Sequence, residues 1–198
     1  DYVCTEFKKI APLVGDKAII RKQGLYKRNG FRNAVSMQEA RTKLRSKLKL
    51  AEHTKIVLGV GYADYRKGID LFLDIAEQLV PQNDSVHFVW IGHFDTSIEA
   101  KIRQRAEAAP LANRVHFPGR QSDTDIFYAG ADVLALTSRE DPFPSVIMEA
   151  YDVAIPVLAF AGAGGFDAFM REAEATLIEA FDCAAFARSI ALYLSNES

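Results

Sequence analysis

The stretch SREDPFPSVIMEA, residues 138–150, sets carboxylates at Asp141 and Glu149 with seven residues between them, across a turn that carries two prolines. Pro142 and Pro144 fix φ and remove backbone donors ahead of SVIMEAYD, which reads as a helix. A helix starting there leaves the amides of its first turn, about Ser145, Val146 and Ile147, without intrahelical acceptors. Free amides and the helix dipole together favour an anion. Glu149 lies four residues after Ser145 on the same helical face, and its two oxygens suit a vicinal diol such as a ribose. Asp141, just before the turn, stands nearer to where a sugar attached to a bound phosphate would lie. The plainer alternatives are that Asp141 caps the helix and that Glu149 is an exposed helical charge.

Three further loops hold residues of similar interest. GVGYADYRKG contains Gly59 and Gly61, but Asp64 breaks the three-glycine dinucleotide fingerprint, and no Gly-Lys-Ser/Thr ending makes it a Walker loop. Arg66 and Lys67 beside Gly68 suit a pyrophosphate, or are simply exposed loop charges. In PGRQSD, Gly119 lets backbone approach a flat ligand, and Arg120 and Gln121 offer hydrogen bonds to a base edge. In AGAGGFD, Gly162, Gly164 and Gly165 permit close approach of a ligand or make a flexible turn. His93 reads as a bystander.

The elements that must position these loops alternate regularly from residue 55 onward. KIVLGVG, VHFVWIG, RVHFPG, VLALTS, PVLAF and ATLIEA read as strands. KGIDLFLDIAEQLV, SIEAKIRQRAEAA, SDTDIFYAGA with Ser122 as its cap, SVIMEAYD, GGFDAFMRE and CAAFARSIALYL read as helices. Continuous Val/Ile/Leu runs mark strands buried on both faces, as in a parallel sheet. The alternation predicts a doubly wound, Rossmann-like α/β domain, whose ligands sit beyond the carboxyl ends of the strands where strand order switches.

The chain has 198 residues, 49% hydrophobic and 25% charged, enough for one sizeable core. Cys4 and Cys183 show no metal-ligand spacing and suit a reducing, cytoplasmic compartment. No apolar run approaches the roughly 20 residues that span a bilayer. The start at Asp1 rather than a methionine suggests a fragment excised from a longer chain. Residues 1–30 fit the α/β pattern less well: DYVCTEF reads as the tail of a strand and AIIRKQGLY as a strand running into a glycine turn. They are expected to be a hinge or remnant of a preceding lobe, with residues 31–198 forming the nucleotide-binding domain. The first 50 residues hold 13 Lys and Arg against 4 Asp and Glu, and the rest hold 11 against 22. The basic helix expected in SMQEARTKLRSKLKL is either a solvated linker or a contact for the anionic inner face of a membrane. Aromatics are not interleaved with its charges for base stacking, so no nucleic-acid partner is expected.

Taken in order, GVGYADYRKGIDLFLDIA, VHFVWIG, RVHFPG, ADVLALTSREDPFPSVIMEAYDVAIPVLAF and GAGG resemble the nucleotide-binding lobe of GT-B fold glycosyltransferases, family four, the retaining enzymes. The resemblance runs from about Ile19 to the C-terminus, and its most specific element is the acid-x7-acid motif Asp141-x7-Glu149. GLYKRN also resembles the hinge joining the two lobes of that family. The resemblance implies that Lys67, with Arg66, neutralises the pyrophosphate of a nucleoside-diphosphate sugar and stabilises its leaving group. It implies that amides of Phe143, Pro144's successor Ser145 and Val146 hold phosphate and sugar oxygens. Glu149 would then bind the ribose, Asp141 the transferred sugar, and the Gly119–Gln121 backbone the base, with Gly61 and Tyr62 near the phosphates. It further implies no cofactor and no catalytic metal, and an acceptor bound by an N-terminal lobe absent from this chain, so that the chain alone transfers little. Two departures stand out: the first acid of the motif is usually Glu, with Glu140 just before Asp141, and Tyr62 stands where the family usually has a basic residue. A sugar-nucleotide epimerase, a phosphorylase or a non-catalytic module of the same architecture are the alternative readings.

Overall fold

The computed structural model describes residues 24–195 other than 143 and 174. Its elements are α1 (Ala34–Leu48), β1 (Lys55–Val60), α2 (Ile69–Leu79), a 3-10 turn (Val80–Gln82), β2 (Val86–Ile91), α3 (Glu99–Glu107) and β3 (Val115–Gly119). There follow α4 (Asp125–Gly130), β4 (Val133–Leu136), α5 (Ser145–Asp152), β5 (Val157–Phe160), α6 (Asp167–Glu172), β6 (Thr176–Ile178) and α7 (Cys183–Ser195). The strand readings in DYVCTEF and at the start of AIIRKQGLY fall outside the described residues.

The six strands form one sheet in the order β3-β2-β1-β4-β5-β6, every pairing parallel. Chain order runs outward from β1 to β3, then returns to build the other half beside β1. The switch in strand order therefore lies between β1 and β4, which pair at Val57 with Val133 and Leu58 with Leu134. A parallel sheet must be covered on both faces, and two cores do this. One packs α2, α3 and α7 against the sheet around Phe72, Phe88, Trp90 and Phe186. The other packs α1, α4, α5 and α6 around Leu44, Phe127, Ile147 and Phe166. The fold is the doubly wound α/β sheet that the alternation of buried strands and amphipathic helices predicts.

Two local expectations are corrected. Ser122 does not cap α4: the capping position is Thr124, without a side-chain cap bond, and Asp123 accepts instead from the Asp125 amide at 3.1 Å. The basic helix α1 is not a solvated linker either, because its Ala40, Leu44 and Arg45 are buried. Arg45 donates to the Thr54 and Gly130 carbonyls and to Asp132 Oδ2, each at 2.9 Å. Asp132 is itself 1% exposed, accepts from the Ile56 amide at 2.7 Å and pairs with Arg41 at 3.0 Å. Much of the basic stretch thus locks a helix to the rear of the sheet, while Lys43, Lys47 and Lys49 remain exposed.

Candidate functional site

Three loops leaving the carboxyl ends of β1, β4 and β5 meet at the switch point. The β1 loop turns into α2 at Gly68, whose φ of 73° is left-handed and whose missing Cβ leaves room for the Thr137 carbonyl. Thr137 Oγ1 in turn donates to the Gly68 carbonyl at 2.9 Å, and the Arg139 amide donates to the Arg66 carbonyl at 2.8 Å. Arg139 completes the lacing with paired bonds of 2.7 Å to Asp70. These contacts bring Lys67 onto Asp141, 74 residues away in sequence, as a direct ion pair. The Lys67 stem lies against Gly61, and both charged groups are largely removed from solvent. Arg66 stays half-exposed and donates to the Glu140 carbonyl at 3.1 Å, beside that pair. Tyr62 is 46% exposed and stands free of this lacing.

The β5 loop holds Asp141 from the other side. The Asp141 amide donates to the Ala163 carbonyl at 2.8 Å, and a Cβ on Gly164 would lie 1.7 Å from the Asp141 carbonyl oxygen. Gly164 therefore admits protein backbone, not ligand. Asp141 does not cap α5: Pro144 holds that position with no side-chain cap bond, and Ser145 is exposed. The Ile147 amide, expected to be free, donates to the Pro144 carbonyl at 3.3 Å, which leaves the Ser145 and Val146 amides without a backbone acceptor among the described residues. Phe143 lies outside the described residues.

Glu149 sits one turn into α5 on a different surface from a plain exposed charge. It is half-buried and lines a cavity of about 190 Å³ together with Ser122, Asp123 and Thr124 of the β3 loop, Asp125 and Tyr128 of α4, Asp152, and Tyr26, Lys27 and Asn29 of the entering chain. That entering segment is clamped. Lys27 pairs with Asp125 at 3.0 Å, Arg28 pairs with Asp152, and the 7%-exposed Asn29 donates its amide to Asp152 at 2.7 Å and its side chain to the Asp125 carbonyl. Burial alone would raise Asp152, but the Asn29 amide and the Arg28 guanidinium outweigh it and hold this carboxyl below its ordinary value. The remaining sequence-predicted residues lie on the β3 loop leading to the cavity. Gly119 takes a φ of 74° and accepts from the Gly92 amide, Arg120 is exposed, and Gln121 donates back to the Pro118 carbonyl at 2.8 Å.

Tyr128 carried no role in the sequence, although a Tyr on the buried face of a short helix always raises the question of its hydroxyl's partner. Asp125, Asp152 and Arg139 were equally silent, because their partners lie far off in sequence. A larger hollow of about 780 Å³ runs along the edge strand β3, lined by residues including Lys47, Arg103 and His116, away from the Lys67–Asp141 pair. Among the described residues no His, Cys, Asp and Glu side chains gather in a metal-holding group, and no helix is long and apolar enough to cross a membrane.

The family model described as Glycosyl transferases group 1 matches residues 40–198. Over 127 residues the chain is 35% identical to the alpha-galactosylglucosyldiacylglycerol synthase of Streptococcus pneumoniae, covering 61% of this chain and 32% of that protein. It superposes on Anabaena Alr3699/HepE in complex with UDP and glucose with a TM-score of 0.67 and 26% identity, covering 78% of this chain and 42% of that one. WaaG, a glycosyltransferase involved in lipopolysaccharide biosynthesis, shares the fold with a TM-score of 0.79 at 22% identity, covering 97% of this chain and 51% of that one. The chain thus spans about a third to a half of the length of these relatives.

Proposed function

The chain belongs to the group 1 glycosyl transferases, and we propose that it is the donor-binding lobe of a retaining enzyme that moves a sugar from a nucleoside diphosphate to a glycan or lipid-linked acceptor. The observation carrying this reading is the partition of charge along one rim of the sheet. Lys67 and Arg66 gather with the start of α5 at the β1/β4 switch, where an anion gains from both cation and dipole. The cavity around Glu149 is lined by carboxylates, repels phosphate and favours hydroxyl donors. A nucleotide laid along the rim places its diphosphate at Lys67, its ribose at Glu149 and its base against Gly119–Gln121.

In this arrangement the donor's phosphate displaces Asp141 from Lys67, releasing that carboxylate to face the transferred sugar. Lys67, Arg66 and the Ser145–Val146 amides then offset the charge that develops on the departing diphosphate, with no metal and no cofactor required. The acceptor belongs to the part of the protein beyond this chain, so the chain alone binds donor and transfers little. The diacylglycerol in the name of the pneumococcal relative favours a lipid-linked acceptor, reached by a peripheral membrane contact through Lys43, Lys47 and Lys49.

Calorimetry of the chain with UDP, GDP and ADP tests the reading, UDP first because a structural relative was seen with it. One of the three is expected to bind, and Glu149→Gln to weaken it by about 1–3 kcal/mol, the scale of a charged hydrogen bond. Absence of binding by all three at millimolar concentration removes the proposal.

A further inference from the structure

We propose that Tyr128 is a positioning residue for Glu149, its phenol hydroxyl donating to that carboxylate so that the free oxygen lone pairs face the ribose of the bound nucleotide. The inference rests on the donor-site reading above and concerns how that site is organised. Tyr128 is 1% exposed and packs its ring in the α1/α4/α5 core, yet its buried hydroxyl makes no hydrogen bond of ordinary geometry among the described residues. A phenylalanine would fill the core equally well, and a buried orphan hydroxyl is costly. The hydroxyl earns its place only through what it faces.

It faces the Glu149 cavity, in whose wall both side chains stand. Two other carboxylates there are already held, Asp125 by Lys27 and the Gly30 amide, and Asp152 by Arg28 and the Asn29 amide. Glu149 has no ion-pair partner among the described residues, so its orientation depends on a donor from the protein wall. Burial first, then the charge of Glu149 and a hydrogen-bonding approach to its carboxylate, push the Tyr128 phenol well above its ordinary value. The phenol therefore keeps its proton and serves only as donor toward the carboxylate. A carboxylate has about four acceptor sites, so one bond to Tyr128 leaves enough for both hydroxyls of a vicinal diol.

The test compares the chain with its Tyr128→Phe, Glu149→Gln and doubly substituted forms. The probes are whichever of UDP, GDP or ADP binds, and its 2′,3′-dideoxy counterpart. Tyr128→Phe is expected to weaken the ribonucleotide about 3- to 10-fold, the worth of one hydrogen bond, to leave the dideoxynucleotide unchanged, and to add nothing when Glu149 is already Gln. Its thermal midpoint should fall by about 2–4 °C at most, the loss of one hydrogen bond in a chain of this size. Equal losses for both sugars, a larger fall of the midpoint, or full ribonucleotide affinity in Tyr128→Phe while Glu149→Gln is weakened would each overturn the role of Tyr128 and leave the donor site standing. If Glu149→Gln itself binds both nucleotides as well as the parent, the donor-site reading falls and this inference falls with it.

Discussion

Asp141→Asn should make the chain bind a nucleoside diphosphate more tightly, although the residue lies at the centre of the candidate site. With the site empty, Lys67 is already satisfied by Asp141, and both groups are mostly withdrawn from solvent, at 18% and 7% exposure. Diphosphate must break that pair before it can use the lysine. An ion-paired hydrogen bond of this kind is worth about 1.5–3 kcal/mol net, and the bond that Asn still accepts from the Lys67 ammonium, charged on the donor side only, about 1 kcal/mol. The difference, about 0.5–2 kcal/mol, returns to the incoming phosphate as a gain of about 2- to 30-fold in affinity. The gain should be larger for the diphosphate than for the monophosphate, whose single group reaches Lys67 less fully. It should shrink when a sugar is attached, since the carboxylate facing that sugar has been lost. Calorimetric titration of parent and variant with UDP, UMP and UDP-glucose reads all three comparisons. A diphosphate affinity that is unchanged or weaker in Asp141→Asn would show that Lys67 does not change partners on binding.

Three other substitutions probe what holds the site. Gly164→Ala places a Cβ 1.7 Å from the Asp141 carbonyl oxygen, so the β5 loop must move. A cost of about 2 kcal/mol is expected, seen as a midpoint lowered by about 4–8 °C. Arg45→Leu strips the Thr54 and Gly130 carbonyls and Asp132 of their shared donor, and should cost about 3 kcal/mol in chemical denaturation while leaving nucleotide affinity within about 2-fold. His87 stacks on His116 with Nδ1 2.8 Å from its Nε2, and burial, His116 and Arg114 depress it to about 4. Because the unfolded chain takes up that proton first, stability should fall as pH drops from about 6.5 to about 4 and level off below. Half-burial limits this to about 1–2 kcal/mol. His87→Gln should flatten that slope in urea titrations across this window; an unchanged slope would assign it to other groups.

The layered sheet was legible because burial on both faces writes itself into unbroken runs such as VHFVWI and VLAL, and the start of α5 was legible because Pro142 and Pro144 announce it. The cap of α4 was misread because Ser122, Asp123 and Thr124 are all capping residues, and only the backbone decides among them. The basic stretch was misread for a deeper reason. Composition reports a charge but not its partner, and the partner of Arg41 and Arg45 is one buried aspartate some 90 positions on. The same blindness hid the pairing of Lys67 with Asp141, whose residue types were each apparent while their contact depended on the switch in strand order. Local chemistry could nominate the two acids of the x7 motif, yet it treated them as a pair serving one ligand. Their surroundings separate them. Asp141 is held between two loops and answers to a cation, whereas Glu149 lines an acidic cavity with Tyr128 in its wall. The spacing matters less as a distance than as a change of face, putting one carboxylate where charge must be exchanged and the other where hydroxyls must be recognised.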